Sequence, residues 1–337
     1  MKTKLKQGTL SWEKARDTRI GSSEIFDIVR YYATDDELQN CGINAEAFRE
    51  ESPFTTAWAL YHKMKQDGLF QREELPPELS DYGHAVEPYG ATVLKNGRTQ
   101  SLKRGEVFAE ERLIASLDVS GISEECDMRP FDYGGGDVVP GMRFVCEQKS
   151  IMPARLKKGL PLKYIIQAQY QVMMSGADFF ILQVMVLEND TTYERGLVAG
   201  MSVAKRKKHL AQNMKISHLY FNNNTHLEML IRLCLDRFFS DVDNSNEPTP
   251  FLANDKQRNI IASIRANTFF NADKVLEIDL IAYLSAKERC DASDNKKAEI
   301  MQDIIELAMQ NNACRFRDGK LTAQFDKAGR FLVKHND

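Results

Sequence analysis

Glu147 and Lys149 are the residues of this chain best suited, by type and spacing, to do chemistry. They lie in the run Arg143-Phe-Val-Cys-Glu-Gln-Lys149, which reads as a buried strand. A strand sends alternate side chains to one face, so Glu147 and Lys149 point the same way and Gln148 the other. Asp118 occupies a second strand-like run, Ile114-Ala-Ser-Leu-Asp-Val119. If the two runs are neighbours, two carboxylates and an ammonium converge. Two carboxylates hold a hard divalent cation, and the ammonium then steers or activates an attacking water. Taken alone, Glu147-x-Lys149 also reads as an ion pair on a strand edge, so its company in the chain matters.

The elements that must position these groups can be read from periodicity and punctuation. Residues 10–30 read as a helix entered through a turn, with Gly21-Ser22-Ser23-Glu24 at a helix start. That start is either an anion site with free backbone N–H groups or a plain capped terminus. Helices are expected over 55–67, closed by Gly68, and over 80–96, with Pro88 removing a backbone donor and kinking the second. Strands near 99–109 and 112–126 lead into a loop containing Gly134-Gly-Gly136. That loop lacks the Lys-Ser/Thr of a phosphate loop and reads as a connection. After the Glu147 strand come a helix over 163–175 and a strand over 178–187. In the helix, Gln167 and Gln171 share a face. Leu227, Leu230, Ile231, Cys234, Leu235 and Phe238 form an apolar stripe on a helix over 226–239, read as core.

A polar, proline-containing stretch over 241–250 marks a boundary. Beyond it, helices around 255–265, 275–289 and 296–311 precede a β-meander of strands over 314–317, 320–325 and 330–334. The meander turns at Asp318-Gly319. The expected organisation is a domain over 1–250 and an extension over 251–337.

Composition narrows the function class without naming it. The 337 residues are 43% hydrophobic and 28% charged, with a net charge of −3, an ordinary globular balance. Bulk charge does not advertise nucleic acid, so a polyanion would need locally gathered basic groups. Arg155, Lys157, Lys158 and Lys163 follow the Glu147 strand and could track a phosphate backbone. Lys205-Arg-Lys-Lys-His209 reads equally as a second such patch or a solvated segment. No two of the six cysteines form C-x-x-C, which argues against a zinc or iron–sulfur site and for reduced thiols in a cytosolic setting. The first residues read as no signal peptide, and the longest apolar run, 179–187, is too short to span a bilayer.

Four motifs fall in order: Arg16-x-x-x-Ile-Gly-Ser-Ser23-Glu, Gly83-x-x-x-Glu87-Pro, Ala115-Ser-Leu-Asp118, and Glu147-x-Lys149 followed by Tyr164-x-x-Gln167. Together they resemble the phage alkaline exonucleases of the lambda exonuclease type, the YqaJ-like viral recombinase family of the PD-(D/E)XK nuclease superfamily. The resemblance runs over about residues 10–240. It departs at Asp118, which Val-Ser-Gly follows where the family usually shows Asp-Gly. The resemblance implies an α/β fold with a central mixed β-sheet flanked by helices, plus a C-terminal α+β extension.

The resemblance also implies roles. Asp118 and Glu147 would be the principal metal ligands and Glu87 would complete a second metal position. Lys149 would assist the nucleophilic water, with burial lowering its pKa toward a useful range. Gln167 would sit beside the site, and Arg16 and Ser23 would bind a 5′-phosphate. His84 reads as a polar helix residue. The implied cofactor is Mg²⁺, two ions, with Mn²⁺ as a substitute. The implied substrate is linear double-stranded DNA, digested 5′→3′ to leave 3′ single strands for recombination of a phage or mobile element. The implied partners are copies of the chain in a trimeric ring and a single-strand annealing protein, in the cytoplasm of a bacterial host. The rivals are a structure-selective endonuclease of the same superfamily and a catalytically silent DNA-binding scaffold.

Overall fold

The computed structural model describes residues 2–51, 54–68, 70, 77–96, 99–123, 141–156, 159–248, 271–277, 304, 307, 313–325 and 331–335. In chain order the elements are α1 (Leu10–Asp17), β1 (Ile20–Gly21), α2 (Ile25–Tyr32), α3 (Asp35–Asn40), α4 (Ala45–Glu50), α5 (Ala57–Lys65), α6 (Pro77–Asn96), β2 (Thr99–Arg104), β3 (Val107–Ala109), β4 (Leu113–Ser116), β5 (Val119–Ser123), β6 (Arg143–Ser150), α7 (Pro153–Leu156), α8 (Leu162–Ser175), β7 (Phe179–Leu187), α9 (Thr192–Gly200), α10 (Val203–Asn213), β8 (Met214–Asn222), α11 (Thr225–Asn244), β9 (Asn271–Glu277), β10 (Ala313–Asp318), β11 (Leu321–Phe325) and β12 (Phe331–His335).

Two compact units share the chain. One draws on Met1–Val29, Ala33–Glu51 and Glu74–Leu233, the other on Arg30–Tyr32, Ser52–Glu73 and Cys234–Asp337.

The first unit is a mixed α/β body around a five-stranded sheet of order β2-β5-β6-β7-β8. Only β6 and β7 run parallel; the other pairs are antiparallel. The parallel pair needs a crossover, and α8 supplies it. Its residues Ala168 and Val172 pack on Val145, Phe180, Leu182 and Val184, one face of the sheet. The opposite face, carrying Phe144, Cys146 and Ile181, is covered by Ala91 and Leu94 of α6. Burying each such large apolar side chain stabilises the fold by about 1.5–3 kcal/mol. β7 is buried on both faces, which is why it reads as a continuous apolar run.

A glycine sets how near α6 comes. A Cβ at Gly90 would stand 2.4 Å from Gln183 Oε1, 2.5 Å from Gln148 Nε2 and 2.9 Å from Met185 Sδ. The close approach brings the backbone of α6 onto the sheet, where Gln183 Nε2 donates to Gly90 O at 3.0 Å. α6 runs continuously through Pro88.

A smaller sheet has the order β1-β4-β3. Here the expected single helix over 10–30 is two helices. Between them the chain extends so that Ile20 and Gly21 pair in parallel with Leu113 and Ile114, and backbone pairing outweighs helix propensity. The strand expected near 112–126 likewise divides into β4 and β5, on different sheets. β8, one of the two outer strands of the five-stranded sheet, has a mixed burial pattern and shows no clean apolar alternation.

In the second unit, α5 buries Trp58 and Leu60. Trp58 Nε1 donates to Glu247 Oε1 at 2.5 Å, and His62 lies 2.6 Å from Asp67 and 3.3 Å from Glu247. Tyr32 donates its hydroxyl to Asp241 at 2.7 Å. The expected meander is present as β10, β11 and β12, turning at Gly319 with φ 55°. Its sheet gains β9, parallel to β10. Residues 275–277, expected to begin a helix, belong to β9; the helices expected over 255–265 and through 289 lie outside the described residues, as does the triple glycine.

Candidate active site

Asp118 stands at the step where the chain leaves β4 and enters β5. The antiparallel register pairs Val119 with Cys146, so one residue further along Asp118 comes level with Glu147. Its Oδ2 accepts the Gln148 backbone N–H at 2.8 Å. Two strands of different sequence origin thus deliver the two carboxylates to one end of the sheet, as the sequence pattern requires.

The alternation along β6 holds. Lys149 Nζ lies 2.5 Å from Glu147 Oε1 on one face. On the other face the buried Gln148 amide meets Gln183 at 2.5 Å, and Gln183 in turn meets His218 at 2.8 Å. This buried amide chain satisfies groups that would otherwise cost about 1–3 kcal/mol each if left unpaired.

Glu147 is 2% exposed, and both its oxygens are held. Gln167 Nε2 donates to Oε1 at 2.6 Å and Gln171 Nε2 to Oε2 at 2.6 Å. The two glutamines stand four residues apart on α8, one turn of helix. The start of α8 is fixed by Glu51, which accepts the Leu162 N–H at 2.7 Å. Lys149 Nζ also lies over the Tyr164 ring, 5.0 Å from its centroid. Gln171 and Tyr164 therefore join the site; Gln171's spacing from Gln167 was visible in the sequence, but nothing there marked it as a partner of Glu147.

The electrostatics follow from crowding. Burial pushes Asp118 well above the ordinary carboxylate range, and the charges of Glu147 and Glu87 push it further; Lys149 and the Gln148 N–H oppose them. Burial also raises Glu87, against the pull of His84, Arg104 and Lys149. Arg104 lies 3.7 Å from Glu87 as an ion partner. Lys149 departs from expectation. Burial favours its neutral form, yet Glu147 and Asp118 together hold it above the ordinary lysine range. That shift favours the protonated form, which donates hydrogen bonds and positive charge.

Among the described residues, no group of three or more His, Cys, Asp or Glu side chains could by itself hold a metal ion. Asp118 and Glu147 remain a pair of hard oxygen donors whose negative charge the Lys149 ammonium offsets only in part. Two buried acceptors beside them, Gln167 Oε1 and Gln171 Oε1, have no hydrogen-bond partner.

The Arg16 guanidinium lies 4.8 Å from the Trp12 ring centroid. Trp12 donates to Ser116 Oγ at 2.7 Å, which ties α1 to the strand before Asp118. Ser23 is half-buried in the turn before α2, beside the buried Ser22. His84 is exposed on α6. Arg206, in the second basic run, donates to the carbonyls of Val198, Ala199 and Met201 at the end of α9, while Lys205, Lys207 and Lys208 are exposed. Lys163 is half-buried in α8. The side chain of Arg155, and Lys157 and Lys158, lie outside the described residues.

The chain is similar to solved exonuclease structures. One is an alkaline exonuclease from Laribacter hongkongensis, with 12% identity and a TM-score of 0.38, over 70% of this chain and 95% of that one. Another is a phage-related exonuclease from Haemophilus somnus 129PT, with 11% identity and a TM-score of 0.42, over 67% and 94%. A solved structure whose name states no activity, SSO0001, shares 12% identity at a TM-score of 0.29, over 68% of this chain and 78% of that one. No family model matches the chain, and no curated protein matches it. Among the described residues, no helix is long and apolar enough to cross a membrane.

Proposed function

We propose that this protein is a metal-dependent deoxyribonuclease that digests linear double-stranded DNA from its ends, 5′→3′. The reading rests above all on Asp118 and Glu147 coming level at one end of the sheet with the Lys149 ammonium against Glu147. The family resemblance of the ordered motifs supplies the substrate, the polarity and the recombination role.

The donor set fits Mg²⁺. Mg²⁺ takes one or two carboxylates, keeps several waters and uses substrate phosphate for the rest, so it needs no cage of three side chains. Asp118 and Glu147 would hold it, with Glu87 near a second position. When bound, the cation supplies positive charge to the water nucleophile and the leaving oxygen.

The chain's own groups do the rest. Lys149 Nζ donates to the attacking water or to a phosphate oxygen. Gln167 fixes the rotamer of Glu147. Arg16 and Ser23 bind the 5′-phosphate, and Arg155, Lys157 and Lys158 lie along the backbone of the duplex. A ring of three copies and an annealing protein that takes the 3′ strand complete the proposal.

The test is a linear duplex with one phosphorylated and one unphosphorylated 5′ end, each strand labelled, in Mg²⁺. A closed circle and Asp118→Ala run beside it. The expected result is loss of nucleotides from the phosphorylated 5′ strand alone, with none from the circle and at least a 10²-fold loss in the mutant, the scale of removing one preorganised charge-stabilising group. Cutting of the circle would refute end dependence, and an active Asp118→Ala would refute the site.

A further inference from the structure

Gln171 makes two hydrogen bonds from one nitrogen. Its Nε2 donates to Glu147 Oε2 at 2.6 Å and to the Ser116 carbonyl at 3.2 Å. Ser116 ends β4, two residues before Asp118, and Glu147 lies on β6. One buried amide therefore bridges the two segments that carry the two carboxylates. Its side chain is 1% exposed and its Oε1 has no partner.

Lone-pair arithmetic gives this bridge a consequence. A carboxylate offers about four acceptor positions, two on each oxygen. Glu147 Oε1 already accepts from Gln167 and Lys149, and Oε2 from Gln171. One position remains, on Oε2, and Gln171 selects which one it is. We infer that Gln171 is a positioning residue. It sets the spacing of Asp118 and Glu147 and restricts Glu147 to a single bond to a cation, through Oε2. This inference rests on the nuclease reading for the identity of the cation's task, but not for the binding itself.

The test compares wild type with Gln171→Met, which keeps the length of the side chain and removes both donors. Mn²⁺ binding is read by electron paramagnetic resonance of the free ion, without DNA. The Mg²⁺ dependence of digestion is read separately as half-saturation and maximal rate, and a metal-free thermal melt checks folding. Loss of an outer partner of a metal ligand costs typically 10–100-fold in affinity. The expected result is a Mn²⁺ affinity and a Mg²⁺ half-saturation weakened about 10-fold or more, with the maximal rate partly restored at high Mg²⁺. Gln171→Glu, which places a carboxylate against Glu147, should also lose the wild-type affinity. Unchanged Mn²⁺ affinity in Gln171→Met would overturn the inference even if the wild type digests DNA. A wild type that binds Mn²⁺, loses it in Gln171→Met and cuts no DNA would leave the inference standing and refute the nuclease reading. A wild type that binds no Mn²⁺ would overturn the inference.

Discussion

At the scale of single residues, the site is a problem in excess negative charge. Asp118 and Glu87 bind protons at higher pH than ordinary carboxylates because both are buried and face the charge of Glu147, with Glu87 acting on Asp118 as well. A cation entering the site must displace those protons. Binding is therefore expected to release protons and to tighten as pH rises through the raised carboxylate range. Calorimetric titration of Mg²⁺ in two buffers of different ionisation enthalpy measures the release directly; identical heats would count against it. The convergence of Asp118, Glu147 and Lys149 was legible beforehand, because strand alternation puts Glu147 and Lys149 on one face and a neighbouring strand run carries Asp118. The state of Lys149 was not. Its pKa depends on whether burial or neighbouring carboxylates prevail, and that balance exists only once Glu147 lies 2.5 Å away.

At the scale of elements, the site depends on how closely two helices approach one sheet. α8 brings Gln167 and Gln171 to Glu147, and α6 brings Glu87 to the same end. Gly90 is the contact that lets α6 come down. Replacing it with alanine drives a methyl into Gln183, Gln148 and Met185, an overpacking that typically costs about 1–3 kcal/mol. Gly90→Ala should lower the thermal midpoint and weaken Mg²⁺ binding together, read by a melt and a cation titration on the same sample. An unaltered melt would mean that α6 is free to shift. The long helices and β7 were visible in the sequence as clean periodicities and a continuous apolar run. The break between α1 and α2 was not, since pairing of Ile20 and Gly21 with β4 is a long-range choice. β8 escaped notice because several of its residues are half-buried and its alternation blurs.

At the scale of the whole molecule, the chain is interleaved. The second unit takes Arg30–Tyr32 and Ser52–Glu73 as well as the C-terminal residues. A chain ending at 233 would remove Glu247, which accepts from the buried Trp58 and lies 3.3 Å from His62 of α5. Such a truncation should yield little soluble protein, whereas the full chain remains in solution; size-exclusion chromatography after expression at matched levels distinguishes them. A well-behaved truncated product would show that α5 needs no cover from the second unit's C-terminal residues.

The same interleaving has a meaning for synthesis. α5 leaves the ribosome long before Glu247 is made. At roughly 5–20 residues per second, that interval is on the order of ten seconds or more. Through it, the nascent chain carries an indole and its neighbouring apolar side chains with no completed body to receive them. Its need for a chaperone should therefore peak during elongation and fall once the stretch around Glu247 emerges.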